Sequence, residues 1–146
     1  MVALIFKFVN LKPPVNWLKK FFLADDDPDD QELFLEALQL IDNRSECETA
    51  FNGQEALQKL LHGRKPLPDF IFLDLNMPGM NGTQCLAEIK KHETLQHIPV
   101  IIYSTSSDNK DIEDTLQYGA AYFLQKPNRF EELLVSLKKI INYSWK

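Results

Sequence analysis

Short apolar runs alternate along the chain with longer segments in which apolar residues recur every three or four positions. Each short run is bounded by Pro, Gly or acidic residues, which predicts buried strands. The longer segments predict amphipathic helices, and the last of them shows the clearest apolar stripe, from Phe130 to Ile140. The predicted strands are residues 20–24, 47–51, 70–73, 99–103 and 121–125, and a helix follows each of them.

Strands that alternate with helices in this way predict βαβ units and therefore an α/β fold. In such folds the sheet is parallel and carries helices on both faces. Ligands of these proteins bind outside the carboxyl ends of the strands. The residues that follow each strand are therefore the first place to look for a functional site.

Polar side chains lie at four of the five predicted strand ends, whereas the second strand ends at the uncharged Asn52-Gly53 turn. The strand-end residues are Asp25, Asp26, Asp27, Asp74, Ser104, Thr105 and Lys126. Because all carboxyl ends of a parallel sheet share one edge, we expect these side chains to converge there.

This combination of side chains predicts phosphoryl chemistry. Three or more neighbouring carboxylates cannot all stay ionised unless a cation shares them. Oxygen ligands without His or Cys favour Mg²⁺. Lys126 and a hydroxyl supply the cation and the hydrogen-bond donor that a phosphoryl group needs. Since aspartate can form an acyl phosphate, Asp74 is the candidate acceptor in a Mg²⁺-dependent phosphoryl site.

Composition is that of one soluble globular domain of 146 residues, with 45% hydrophobic and 25% charged residues. The net charge of −5 argues against nonspecific nucleic-acid binding. Cys47 and Cys85 have no metal or disulfide spacing, so buried free thiols and a cytoplasmic location are expected. No segment predicts a membrane span or signal peptide. Residues 1–18 form an N-terminal arm without an assigned role, and residues 19–146 form the domain.

The same motifs carry a family resemblance. Asp25-Asp26, then Asp74 followed by Met77-Pro78-Gly79 and Gly82, then Ser104, then Lys126-Pro127 resemble the receiver domain of bacterial response regulators, the CheY-like family. The resemblance runs from about Lys19 to the last residue. It implies a flavodoxin-like (βα)5 fold with strand order 2-1-3-4-5. It also implies that Asp74 takes a phosphoryl group from a histidine kinase or a histidine phosphotransfer protein.

The resemblance assigns roles to individual residues at the site. It implies that Asp26, Asp74 and the backbone carbonyl of Asn76 bind Mg²⁺ directly, with Asp25 acting mainly through a metal-bound water. It further implies that Lys126 pairs with the phosphoryl oxygens, and that the hydroxyl of Ser104 binds them too. The family's bond between this lysine and the following proline is typically cis.

The resemblance also implies a switch, in which Ser104 moves toward the phosphoryl group and the aromatic ring of Phe123 turns inward. Asn76 and Ser106 stand at positions that tune how fast the acyl phosphate is hydrolysed. The chain departs from the family pattern at Asn128, where Phe is usual, and at Asn81, where Asp is common.

The function predicted from these residues is a two-component signalling switch, a stand-alone receiver or phosphorelay intermediate. Its output would pass to a partner protein through the face formed by the fourth helix, the fifth strand and the last helix, and this face can also pair with a second copy as a homodimer. The protein would not be an enzyme beyond its own phosphotransfer and autodephosphorylation. No contact with nucleic acid or membrane is expected.

Two alternatives are left open. The first is a Mg²⁺-dependent aspartyl-nucleophile phosphohydrolase, although that class requires a general acid two residues after the nucleophile, where this chain has the neutral Asn76. The second is a pseudo-receiver, a binding module that is never phosphorylated.

Overall fold

Five parallel strands and five helices alternate along the computed structural model, which describes residues 19–145. The predicted arm, residues 1–18, lies outside the described residues. The strands are β1 (Lys20–Ala24), β2 (Glu46–Ala50), β3 (Phe70–Leu73), β4 (Val100–Ser104) and β5 (Tyr122–Gln125). The helices are α1 (Pro28–Ile41), α2 (Gly53–His62), α3 (Gly82–Lys91), α4 (Asn109–Gln117) and α5 (Phe130–Asn142).

The sheet has the strand order β2-β1-β3-β4-β5, and all neighbouring strands are parallel. The α/β fold with a parallel sheet is the one that the sequence pattern predicted, and the flavodoxin-like strand order is the one that the family resemblance implied. The order reverses between β1 and β3, so the carboxyl ends of these two strands lie side by side at the topological switch point.

Side chains of each central strand alternate between two separate cores, as the two-residue period of a strand requires. Phe22, Ile71 and Ile102 pack on one side of the sheet with residues of α2 and α3. On the other side, aromatic residues of the sheet meet α1 and α5, and the ring of Phe34 contacts Phe72 edge-on with the centroids 4.8 Å apart. Both faces of the sheet are therefore covered.

Four helices begin at side-chain caps in the loops after strands, and the cap of α4 is Asp108, which accepts a hydrogen bond from Lys110 N at 3.0 Å. Asp27 accepts a hydrogen bond from Asp29 N at 2.9 Å and precedes Pro28, which suits the first position of α1. Asn52 caps α2. Asn81, one of the two departures from the family pattern, forms a reciprocal capping box with Gln84 at the start of α3. The departure thus keeps a good capping residue.

Element boundaries agree with the sequence prediction to within a few residues. The observed β2 and β4 are each shifted by one residue from the predicted strands, and α2 begins at Gly53. Gly119 follows α4 with a φ angle of 107°, a left-handed conformation that favours glycine after a helix. Both cysteines are free, but the expectation that both are buried is wrong for Cys47. Cys47 is only half-buried, because β2 is an edge strand that no further described strand covers.

No helix within residues 19–145 is long and apolar enough to cross a bilayer.

Candidate functional site

Main-chain hydrogen bonds beyond the strand ends fix the positions of the site residues. The Asp25 amide donates to Ala50 O at 3.0 Å, and the Asp74 amide donates to Ala24 O at 2.9 Å. Beyond the ends of β4 and β5, the Lys126 amide donates to Ser104 O at 2.7 Å. The parallel ladder therefore continues one residue into each loop and holds these residues at one edge.

Three carboxylates form a cluster at this edge. Asp25, Asp26 and Asp74 each offer one oxygen, and these oxygens lie within 4.8 Å of one another. Asp25 and Asp74 are buried, whereas Asp26 is exposed and opens the cluster to solvent. Asp25 Oδ1 accepts a hydrogen bond from Asp27 N at 3.0 Å, and Asp74 Oδ1 accepts a longer one from Asn76 N at 3.5 Å. The site thus concentrates negative charge around Asp74.

The ammonium of Lys126 compensates part of this charge. Its Nζ atom lies 2.8 Å from Asp25 Oδ2, 2.7 Å from Asp30 Oδ2 and 3.5 Å from Asp74 Oδ2. The contact with Asp25 is close, yet Asp25 Oδ2 is buried and receives no hydrogen bond of good geometry. The contact with Asp74 is the loosest of the three.

Burial and charge crowding raise the pKa values of the two buried acids. Burial raises the pKa of Asp74 to about 6; Lys126 opposes this rise, whereas the neighbouring charge of Asp25 adds to it. Burial also raises the pKa of Asp25, against the effect of Lys126. For Lys126 itself, burial lowers the pKa, but the hydrogen bonds and charges of the acids outweigh burial and raise it. Lys126 is therefore a permanent cation here.

The donor set fits a hard divalent cation. The clustered carboxylates, one of them with an unbonded buried oxygen, have more negative charge than one ammonium can neutralise. Every ligand atom is a carboxylate oxygen, which Mg²⁺ and similar ions prefer. The acidic residues predicted from the sequence therefore meet the chemical requirements of such a site.

Hydroxyl side chains lie at the end of β4 and in the loop after it, and β4 is the neighbour of β3, the strand that ends just before Asp74. Ser104 is fully buried, and its Oγ accepts a hydrogen bond from Ser106 N at 3.2 Å. Thr105 is exposed. The Ser106 hydroxyl donates to Asp111 Oδ2 at 2.7 Å, so this side chain is engaged with the first turn of α4. The buried hydroxyl of this loop is thus that of Ser104, and the roles assigned to Ser104 and Ser106 remain predictions.

Phe123 and Asn76 occupy positions compatible with the roles that the resemblance implies. Phe123 pairs with Ile102 in the β4–β5 register and is half-buried against the α2 and α3 side of the core. Asn76 is exposed in the loop after β3. Their switching and tuning roles stay predictions. The cis bond implied for Lys126-Pro127 is wrong, since among residues 19–145 the cis peptide bond is Lys65-Pro66.

Two neighbours of Lys126 were missed in the sequence. Asp30 belongs to the acidic start of α1, a place where acids occur simply because helix N-termini favour them. Tyr103 is a buried aromatic of β4, and Lys126 Nζ lies 5.2 Å from the centroid of its ring. The alternation of β4 could have placed Tyr103 on the α1 side, but neither contact has a signal in the local sequence.

Comparison with known proteins decides the family. The family model for the response regulator receiver domain matches residues 21–138, which is most of the chain. The chain belongs to the response regulator receiver domain family. Receiver domains are phosphoacceptor switches of two-component signal transduction rather than conventional enzymes, and this agrees with the class predicted from the sequence.

Individual proteins that are similar to this chain support the same family assignment. The transcriptional regulatory protein CpxR homolog of Haemophilus influenzae is 35% identical over 127 residues, which cover 87% of this receiver domain chain and 52% of the relative. The chain thus spans about half the length of that relative. The structure of the phosphorylated cyanobacterial phytochrome response regulator RcpA is 34% identical with a TM-score of 0.79, covering 88% of this chain and 94% of RcpA.

The Mn²⁺-bound form of the response regulator Rcp1 is also similar. It has 27% identity and a TM-score of 0.75, and the match covers 88% of this chain and 95% of Rcp1.

Proposed function

We propose that this receiver domain accepts a phosphoryl group on Asp74 from a phosphohistidine donor in a Mg²⁺-dependent reaction. The observation that carries the proposal is the position of Asp74 between two acids that could hold a metal and the ammonium of Lys126. Similar receiver proteins have been seen phosphorylated, as in RcpA, and Mn²⁺-bound, as in Rcp1.

In the proposed reaction an oxygen of Asp74 forms a bond to phosphorus while the P–N bond of the donor histidine breaks. The electron pair of that bond stays on the imidazole nitrogen. Asp74 must be ionised to attack, and with a pKa of about 6 it is mostly ionised at pH 7.5 even without a metal. Lys126 donates a hydrogen bond to a phosphoryl oxygen and balances its charge.

Asp26, Asp74 and the backbone carbonyl of Asn76 would hold Mg²⁺, with Asp25 beside them. When bound, the ion neutralises charge on the phosphoryl oxygens. Asp25 and Asp74 are buried, so water reaches the reacting edge mainly from the side of Asp26. Ser104 would donate its hydroxyl to the phosphoryl group, and the half-buried Phe123 would then turn inward as the switch.

Phosphorylation would be read on the surface of α4, β5 and α5. Large apolar side chains are exposed there, which is typical of interaction sites. They are Leu116, Tyr118, Tyr122 and Val135. The partner would be a downstream effector protein or a second copy of the chain, and the donor would be a histidine kinase or a phosphotransfer protein. We place the domain in the cytoplasm, where these partners act.

Intact mass spectrometry after incubation with acetyl phosphate and Mg²⁺ tests the proposal. One added phosphoryl group is expected, absent in Asp74→Asn and absent after chelation. Asp69→Asn is a matched control, because Asp69 is an exposed acid before the same strand. No adduct together with no Mg²⁺ binding would indicate a pseudo-receiver. Steady release of phosphate without an adduct, or turnover of phosphate esters, would indicate a phosphohydrolase.

A further inference from the structure

Asp30 is the closest acidic neighbour of Lys126, although it lies 96 residues away and outside the motifs of the site. Its Oδ2 accepts a hydrogen bond from Lys126 Nζ at 2.7 Å. The Lys126 side chain is 10% exposed and that of Asp30 is 30% exposed, so the pair is partly shielded from water. A contact of this length with a shielded ammonium is a charge-assisted hydrogen bond.

The contact with Asp30 affects how the Lys126 ammonium is oriented toward Asp74. A lysine ammonium has three N–H donors, and three carboxylates surround it. Asp25 and Asp30 lie at 2.8 and 2.7 Å, whereas Asp74 lies at 3.5 Å. The ammonium is therefore held on the β1 and α1 side of the site by a hydrogen bond to Asp30 and a close ion pair with Asp25, and the looser contact with Asp74 has room to shorten.

A fourth neighbour limits the movement of the ammonium. The Tyr103 ring lies 5.2 Å from Lys126 Nζ, and it is itself held by Phe34, with ring centroids 5.5 Å apart. The ring of Tyr103 thus borders the lysine ammonium on the α1 side of the sheet. Without Asp30, Asp25 would be its only remaining close anchor among the described residues, since Asp74 is the group that reacts.

We infer that Asp30 is a positioning residue for phosphoryl transfer: it anchors Lys126 so that the free N–H donor points at the place where the phosphoryl group of Asp74 arrives. This inference rests on the proposed function. A preoriented donor loses less conformational freedom when the phosphoryl group binds, and it binds more tightly for that reason.

The test uses beryllium trifluoride, a phosphoryl analogue that binds aspartate, in the presence of Mg²⁺. We expect Asp30→Ala to weaken its binding to Asp74 by about five-fold, as for the loss of one charge-assisted hydrogen bond near the surface. Asp30→Asn keeps an acceptor oxygen and should fall between Asp30→Ala and the wild type. Fluorine NMR titrations measure the three affinities.

Asp29→Ala is the matched control. Asp29 lies in the same helical turn, carries the same charge and is exposed. Asp29→Ala loses the same favourable interaction with the helix N-terminus as Asp30→Ala does. Removing the negative charge of Asp29 should also help an anion to bind. We therefore expect Asp29→Ala to bind the analogue as well as the wild type or better, opposite to Asp30→Ala.

A double-mutant cycle in urea unfolding separates an action through Lys126 from a merely structural one. Asp30→Ala should raise the equilibrium constant for unfolding by a factor at least three-fold larger in the wild type than in Lys126→Met, which has no ammonium to anchor. Equal effects in both backgrounds, or equal affinities of Asp30→Ala and Asp29→Ala for the analogue, would overturn the inference. If the wild type binds neither the analogue nor acetyl phosphate, the proposed function fails instead.

Discussion

Gly82 lies so close to the main chain of Asp74 that a Cβ atom at residue 82 would collide with the Asp74 carbonyl oxygen. The same Cβ would lie 2.8 Å from Leu75 Cα. Gly82 opens α3 and its amide donates to Leu75 O at 3.0 Å, so helix and loop are joined at this point. The first residue of α3 therefore sets the position of the predicted phosphoacceptor.

Gly82→Ala should destabilise the protein by about 1–3 kcal/mol, because overpacking against a main chain cannot be relieved by a rotamer change. It should also weaken Mg²⁺ binding, since Asp74 must shift. Urea unfolding and a Mg²⁺ titration measure the two effects. Thr83→Ala, a half-buried change in the next residue, is the control and should leave Mg²⁺ affinity unchanged. A Gly82→Ala protein with wild-type stability would contradict the close contact.

Lys126→Met should destabilise the protein by about 3 kcal/mol at pH 7.5, because it leaves buried carboxylates without a counter-charge. The loss should shrink toward pH 5. The raised pKa of Lys126 keeps its contribution fully present below the unfolded value of 10.5. The change with pH must therefore come from the acids, whose raised pKa values let them become protonated and neutral as the pH falls.

Unfolding curves in urea at pH 5 and 7.5, without Mg²⁺, measure this dependence. Lys138→Met removes the same charge from an exposed position on α5 and should cost little at either pH. A loss for Lys126→Met that is the same at both pH values would show that the acids are not its cause.

Most of the fold and the main site could be predicted from the sequence, and the reason is geometric. A parallel sheet brings every carboxyl strand end to one edge, so Asp25, Asp74 and Lys126 had to meet once their strands were recognised. No contact between particular side chains was needed for that step. The strand order came from the family resemblance, because many βαβ chains share the same alternation.

Contacts of individual side chains could not be predicted in this way. The ion pair between Asp30 and Lys126 joins a helix start to a loop 96 residues later, and it depends on how α1 lies against the sheet. The acidic start of α1 has a sufficient local explanation in the helix dipole, which hides the second role. Cys47 was misjudged because strand order, and hence which strand lies at an edge, does not show in a local apolar pattern.

The raised pKa of Asp74 predicts a stabilising effect of Asp74→Asn without metal. The folded protein holds this proton more tightly than the unfolded chain, so its stability falls as the pH rises between 3.8 and about 6. Asparagine has no charge to bury. At pH 7.5 we expect Asp74→Asn to be more stable than the wild type by about 1–3 kcal/mol, with a smaller difference at pH 4.5.

Chelator-treated samples unfolded in urea at the two pH values test this expectation. Adding Mg²⁺ at pH 7.5 should stabilise the wild type more than the variant, because binding to the folded state alone adds stability. If Asp74→Asn were less stable than the wild type at pH 7.5 in chelator, burial of charge at Asp74 would not be costly, and the raised pKa would be contradicted.

The ring of Tyr103 should matter for stability, and its hydroxyl should not. Burial raises the pKa of Tyr103 to about 12, so the side chain is neutral at pH 7.5. Tyr103→Phe keeps the aromatic face 5.2 Å from Lys126 Nζ and should change stability by less than about 0.5 kcal/mol. Tyr103→Leu loses both this cation–π contact and the packing on Phe34, and should cost about 2 kcal/mol.

Repeating the Leu substitution in Lys126→Met separates the two losses. Packing on Phe34 is lost in both backgrounds, whereas the cation–π contact exists only where the ammonium is present. We therefore expect the cost of Tyr103→Leu to be smaller in Lys126→Met by about 0.5–1 kcal/mol, measured by urea unfolding at pH 7.5. Identical costs would mean that Tyr103 acts only as a core residue and that the acids alone hold the lysine.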